Sequence, residues 1–431
     1  MNRHGPRRTF ALASLLVAGI SVFSPRLQGQ MSENRQRDRR FWGPGRSAVP
    51  VSIQGVEVLR AEEPIYSAAS SASTRRGTAA LGARLPLFGA QLGPGCGGRW
   101  FSIAADAFVC EDGVALSTEA PLGLGPSSEP SVDGLPYRYY FVNRDGSFGY
   151  DALSTAEDGV PNAQLQPGFG VAVQRIAEKN SGDTFGLTSR GFWLPMRDLT
   201  PVAPTQFRGS AWSEDLAWVV RDGAPLFSAP GKRKAGATLE RLTTVSILGT
   251  SAGKAPRYVK IGEGAWLRGE DVRSPSRAAP PAEIRPGERW LDVDLARQTL
   301  LAYQGETPIL ATLISSGRGA KGSETATPPG LHRIWVKLRT SDMDNIENLA
   351  ARENYAIEAV PWVMFFQRGY GLHGTFWHRR FGEVKSHGCV NLAPRDGEQL
   401  FNWTAPRLFP GWTAVLPTPR EPGTLVRVRA E

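Results

Sequence analysis

Four side-chain types suited to acyl transfer crowd a short stretch near the C-terminal end of the 431-residue chain. His373-Gly374-Thr375 is followed by Ser386-His387-Gly388-Cys389-Val390-Asn391, and Cys389 is one of three cysteines. A thiol is a strong nucleophile only as thiolate, so it needs a base or a positive field beside it. His373, sixteen residues upstream across an irregular Gly-bearing stretch, can be brought opposite Cys389 in space. Gly388 lacks a Cβ and allows a tight turn, which can aim successive backbone N–H groups at one point, the requirement for an oxyanion hole. A zinc site formed by His373, His378, His387 and Cys389 uses good ligand types. Their spacings match no common zinc pattern, and no metal or cofactor is assigned. His378, between Trp377 and Arg379, receives no role.

Strand-forming segments must position these residues. Leu291, Val293 and Leu295 alternate with Asp292 and Asp294, and a polar turn leads to Leu300-Leu301-Ala302-Tyr303, which predicts a hairpin with one buried face. Further strands are expected at 309–315, 330–338, 362–366 and 414–416. A helix is expected over 394–404, with Pro394 in its first turn and Leu400, Phe401 and Trp403 as apolar contacts. The domain so outlined is β-rich and runs from 288 to 418, with 419–431 as a tail.

The histidine and cysteine segments resemble the signature of the L,D-transpeptidase (YkuD-type) catalytic domain. Ser315-Ser316-Gly317 and Thr327-Pro328-Pro329-Gly330 resemble two further segments of that domain, and Leu291 to Leu295 fits its opening. Ser316 stands where a Thr is common, and 339–359 reads as an insertion suited to a lid or substrate wall. The resemblance implies a β-sandwich-like fold and a cysteine nucleophile acting on peptidoglycan. Cys389 would attack the carbonyl of the third residue of a tetrapeptide stem, and His373 would accept and return protons. The Gly374 carbonyl would orient the His373 ring, and N–H groups around His387, Gly388 and Cys389, in the turn begun by Ser386, would hold the oxyanion. Transfer to an amine of a second stem gives a 3→3 cross-link; water or a protein amine as acceptor, or a non-catalytic wall-binding scaffold, are the alternatives. The basic residues Arg368, Arg379, Arg380, Lys385 and Arg395 suit a carboxylate-rich stem.

Upstream, a pattern of spaced apolar residues recurs three times. Ala79, Leu85, Leu87; Leu165, Val171, Val173; and Leu239, Val245, Ile247 are each followed by an aromatic residue (Phe108, Trp193, Trp266) and then an aspartate (Asp112, Asp198, Asp271). The two-residue steps are strand periodicity and the intervening Gly, Pro and Asp are turn chemistry. Three small antiparallel units are therefore expected at 49–118, 131–200 and 207–273, resembling bacterial Src-homology-3-like barrels. A Pro-rich spacer is expected at 274–287. Gly249-Thr250-Ser251-Ala252-Gly253 fits the pattern of a nucleophile elbow, but Pro256 and a strand follow where a helix is required, so it reads as a hairpin loop.

The composition excludes a disordered chain, a collagen-like repeat and a polytopic membrane protein. The formal charge of +9 suits an acidic polymer as partner. No nucleic-acid partner is expected. Arg3, Arg7 and Arg8 precede an uncharged, mostly apolar run from Thr9 to Pro25, the pattern of an export signal or anchor over 1–29, followed by a polar linker over 30–48. The expected location is thus the periplasm or cell envelope, with membrane contact only through an uncleaved signal. In that oxidising setting Cys96 and Cys110 are candidates for a disulfide, leaving Cys389 as the odd thiol. Intact mass should therefore rise by two hydrogens on reduction, and one thiol should alkylate beforehand; two thiols alkylating before reduction would contradict the pairing.

Overall fold

The alternating apolar residues from 290 onward build the sheets that carry the site. In the computed structural model, which describes residues 46–47, 52–121, 133–144, 147–252, 258–320, 322–344 and 355–430, β1 (Arg289–Asp294) and β2 (Thr299–Gln304) form an antiparallel hairpin. Leu291 lies opposite Ala302 and Val293 opposite Leu300. β3 (Thr307–Ser315) pairs with β2 as far as Leu313, and its last two residues pair instead with β8 (Val390–Leu392), so β3 passes from one sheet into the next. β4 (Gly330–Arg333) and β10 (Leu425–Arg429) extend the first sheet. β5 (Val336–Asp344), β6 (Ala356–Gln367), β7 (Tyr370–Gly374) and β9 (Trp412–Val415) complete the second. Between the sheets lies a core that includes Val293, Ile314, Met364, Leu372, Val390 and Phe401.

The helix α1 (Pro394–Trp403) begins at Pro394 and turns Leu400 and Phe401 into that core. Its C-terminal carbonyls are met by a buried lysine. Lys337 Nζ donates to the carbonyls of Phe401 and Thr404, the latter at 2.8 Å, and lies over the Phe401 ring. A cation at this end of a helix is favoured by the helix dipole, while burial pushes the ammonium down to about 7.

Several expectations are corrected. β1 is buried on both faces, because Arg427 and Arg429 of β10 pair with the fully buried Asp292. Residues 425–429, expected in a tail, form the strand between β1 and β4. The expected strand 330–338 is two strands, since β4 pairs with β10 and β5 with β6 and β9. The Pro-rich stretch 274–287 packs down instead of standing free. Its Ala278 N–H donates to the Tyr303 hydroxyl, its Ala279 carbonyl accepts from Arg427, and Ile284 joins a buried cluster.

Upstream, one pairing scheme occurs three times. The first strand of each unit lies between a middle and a last strand: Gly55–Val58 with Arg84–Pro86 and Val114–Ser117; Arg138–Val142 with Gly170–Glu178 and Leu199–Pro201; Leu216–Val219 with Thr244–Ser246 and Val272–Arg273. Asp112, Asp198 and Asp271 each lie in the 3₁₀ turn before the last strand. The sheets are open, not closed barrels. Their strands continue into the C-terminal sheets: Arg75–Ala79 pairs with β9, and Gly170 bridges to Ile357 of β6. The Gly249–Thr250 segment pairs with Tyr258–Gly262, and the Ser251 N–H donates to the Tyr258 carbonyl; residues 253–257, with Gly253, lie outside the described residues. Residues 1–29, nearly all of 30–48, and 345–354 also lie outside them. No helix among the described residues is long and apolar enough to cross a membrane.

β6 shows how closely the second unit is bound to the catalytic sheets. Ala359 and Trp362 have left-handed backbone (φ 47° and 62°), an unfavourable conformation for residues with a Cβ that the surroundings must maintain. Both are held from residues 133–142: the Tyr139 hydroxyl donates to the Ala359 carbonyl at 2.5 Å, and Trp362 Nε1 donates to the Gly134 carbonyl at 2.6 Å. Tyr139→Phe leaves that buried carbonyl without its donor and should cost about 1–3 kcal/mol, measurable as a lower denaturation midpoint. An unchanged midpoint would show that Tyr139 does not support β6.

Candidate active site

β7 and β8 run parallel, with His373 paired to Asn391 and Leu372 to Val390. A parallel pair cannot be joined by a tight hairpin, so the chain leaves β7 after Gly374 and returns through residues 375–389. The base candidate ends one strand and the thiol immediately precedes the other.

His373 is buried, 2% exposed, and its Nδ1 lies 3.2 Å from both the Gly374 carbonyl and the Thr375 hydroxyl. A carbonyl can only accept, so Nδ1 carries the proton and Nε2 keeps the lone pair. Trp377 stacks on the ring at 5.7 Å. Burial pushes the imidazole down to about 4, against the opposing effect of the Gly374 bond, so the ring is neutral at physiological pH. Cys389 is half-buried, with Sγ 3.7 Å from the Gly369 carbonyl. Burial pushes its thiol up, and a bond from the Gly371 backbone N–H partly offsets this. The site therefore holds a neutral thiol and a neutral base.

The turn before Cys389 is clamped from within and from below. Ser386 Oγ accepts from the Gly388 N–H at 3.1 Å and donates to the Cys389 carbonyl at 2.5 Å. The expectation that the Gly388 N–H serves an oxyanion is corrected by this bond, which directs it into the turn. Gly388 has φ +129°, and a Cβ there would meet Tyr370 Cε1 at 2.7 Å, so only glycine fits. The Thr327 hydroxyl donates to the Gly388 carbonyl at 2.7 Å and accepts from the Gly317 N–H at 2.8 Å. The Ser316 carbonyl accepts from the N–H groups of Lys385 and Ser386. The two accessory segments singled out in the sequence are thus the supports of the Cys389 turn.

His378, assigned no role from sequence, lies with Nε2 2.9 Å from the Asn391 side-chain amide and Nδ1 accepting from the Arg380 N–H. His387 is exposed, 2.6 Å from Arg318 and stacked on Tyr355. These histidines thus point to separate partners. The side chains whose ligand atoms do converge, among the described residues, are Cys96, Cys110 and Asp112, and the first two form a disulfide.

His373, Ser386, His387 and Cys389 open on one cavity of about 1240 Å³. Arg318 and Lys385 line it on the turn side, and Asp342, Asp344, Tyr355 and Ile357 line it from the β5–β6 hairpin. Of the segment read as an insertion, residues 339–344 belong to β5 and 356–359 to β6, which pair with one another. Phe141 and Gly168 of the second upstream unit also line the cavity, a contribution to which nothing in the sequence pointed, because a wall residue has no motif.

Residues 288–428 match the family model of the YkuD L,D-transpeptidase catalytic domain. The C-terminal part of the chain is such a domain, of a family whose members act on peptidoglycan. Among solved structures, the chain is similar to an Enterococcus faecium L,D-transpeptidase at 24% identity, covering 33% of this chain and 50% of that one (TM-score 0.25). It is also similar to an L,D-transpeptidase from Stackebrandtia nassauensis (25%, 36% and 59%, 0.24). L,D-transpeptidase 3 from Mycobacterium tuberculosis is a third (19%, 33% and 60%, 0.26). The chain thus spans half the length of the first of these structures. No curated protein matches the chain.

A neutral thiol predicts a distinct reactivity profile. Alkylation of Cys389 by iodoacetamide should rise with pH through 9 with no plateau near neutrality. A plateau below pH 7 would instead mean a preformed thiolate–imidazolium pair and would refute the neutral ground state.

Proposed function

We propose that the protein is a peptidoglycan L,D-transpeptidase with Cys389 as nucleophile and His373 as general base. The observation that carries this reading is the imidazole itself: buried, neutral, its Nδ1 proton given to the Gly374 carbonyl, and its Nε2 lone pair left to accept the thiol proton beside a shared cavity. Gly374 supplies the orienting acceptor of a triad through its backbone.

Cys389 Sγ attacks the carbonyl of the third stem residue as His373 takes the thiol proton. The carbon–nitrogen bond to the terminal D-Ala breaks, His373 returns the proton to the leaving amine, and a thioester remains. An amine of a second stem, losing a proton to His373, then attacks the thioester and frees the thiol. The Cys389 N–H, with that of His387, is the oxyanion donor we assign. Arg318 and Lys385 at the cavity wall suit the stem's carboxylates. Export to the cell envelope and contact of the upstream units with the wall belong to the same reading.

Incubation with a disaccharide-tetrapeptide should give an intact-mass adduct lacking D-Ala, absent in Cys389→Ala, and His373→Ala should slow its formation by ~10²–10⁴. Release of D-Ala without cross-linking in the presence of an amine acceptor would assign a carboxypeptidase instead. No adduct from folded protein with a free thiol would overturn the reading.

A further inference from the structure

The chain between His373 and Cys389 is not held by the catalytic sheets alone. Phe381, fully buried, enters a cluster with Phe207, Trp218 and Val220 of the third upstream unit. Gly382 has φ +91° and passes so close to Val220 that a Cβ would lie 2.3 Å from its Cγ1. Arg241 of the same unit reaches into this loop with its side chain 3% exposed. It donates through Nη1 to the Phe381 carbonyl at 3.3 Å and through Nη2 to the Glu383 carboxylate, and its Nε meets Asp222 at 3.3 Å. Glu383 is held from its other side by Arg380 at 2.6 Å, and Asp222 by Arg379 at 2.5 Å. From this anchored stretch the chain runs to His378, which meets the side chain of Asn391, and forward through Lys385 and Ser386 into the Cys389 turn.

We propose that Arg241 is a positioning residue for the reaction of Cys389, fixing the 378–385 loop so that thiol and imidazole face one another. The third unit then serves as part of the active-site scaffold, not as a spacer. A rigid, planar guanidinium can hold a carbonyl and a carboxylate of one loop while anchored to a third acceptor on its own unit. The inference rests on the proposed reaction only for its turnover arm, because thiol reactivity reads the same geometry without any stem substrate.

The test uses the full chain with Arg241→Met, which keeps the apolar stem, and Arg241→Lys. The expected result for Arg241→Met, at temperatures where its circular dichroism matches the parent, is a 10- to 100-fold fall in kcat with KM within about threefold. The rate of Cys389 alkylation at neutral pH, where His373 assists attack by taking the thiol proton, should also fall towards that of His373→Ala, with Arg241→Lys falling between. A lowered melting temperature with a parental alkylation rate and parental kcat in the folded protein would overturn the proposal, showing that Arg241 only stabilises the fold. If the parent protein turns over no stem peptide, the alkylation rates alone decide: a fall upholds the positioning role and identity with the parent rate rejects it.

Discussion

The parallel pairing of β7 with β8 is the constraint from which the rest of the site follows. It sets His373 beside Asn391 and leaves Cys389 at the entrance to the neighbouring strand, but at the cost of a fifteen-residue excursion between them. Such an excursion has no ladder of its own, so its backbone groups need other partners. Several are found at defined places: Thr327 and Ser386 close the Cys389 turn, Ser316 holds the chain entering it, and Ile314 accepts the Gly382 N–H. The polar residues of the domain's motifs are accounted for as much by this need as by chemistry.

Burial governs the electrostatics of the site. A solvated imidazole near its ordinary value would compete as an acid at neutral pH, whereas the enclosed His373 ring stays neutral and available as a base. The same enclosure pushes the Cys389 thiol up, so it rests protonated. Other buried ionisable groups mark where elements meet. Glu358 on β6, pushed up to about 7 by burial, accepts from Ala172 and Ser189 of the second unit. Asp396 of α1, up to about 6, accepts from Gly209 and Thr312. Charged forms there are costly to bury, so hydrogen bonds at these two carboxyls join the upstream units to the C-terminal sheets alongside ion pairs such as Arg190–Asp342 and Arg241–Glu383.

Much of the local structure was legible. The β1–β2 hairpin follows from alternation at 291–295, α1 from Pro394 and its apolar face, and the three aspartates of the upstream pattern fall in equivalent turns. Where the reading failed, long-range pairing had overruled local pattern. Asp292 and Asp294 looked solvent-facing until the arginines of β10, over 130 residues away, covered them. The prolines of 274–287 signalled a spacer, whereas the stretch packs down through contacts to Tyr303 of β2 and Arg427 of β10 that no local pattern announces. His378 carried no signal because its partner, Asn391, is a neighbour only in space.

The sequence by itself determined the reactive groups and the local turns: a cysteine after glycine, a histidine before glycine, and the strand periods that hold them. These depend on residue type and on contacts a few positions apart. Only the tertiary structure decided which histidine meets the cysteine's strand, which N–H groups the Cys389 turn consumes, and that residues as distant as Phe141 and Arg241 bound the cavity and its loop. Those outcomes depend on sheet register and on burial, which place groups from remote parts of the chain side by side and set their proton affinities. No spacing in the sequence encodes either one locally.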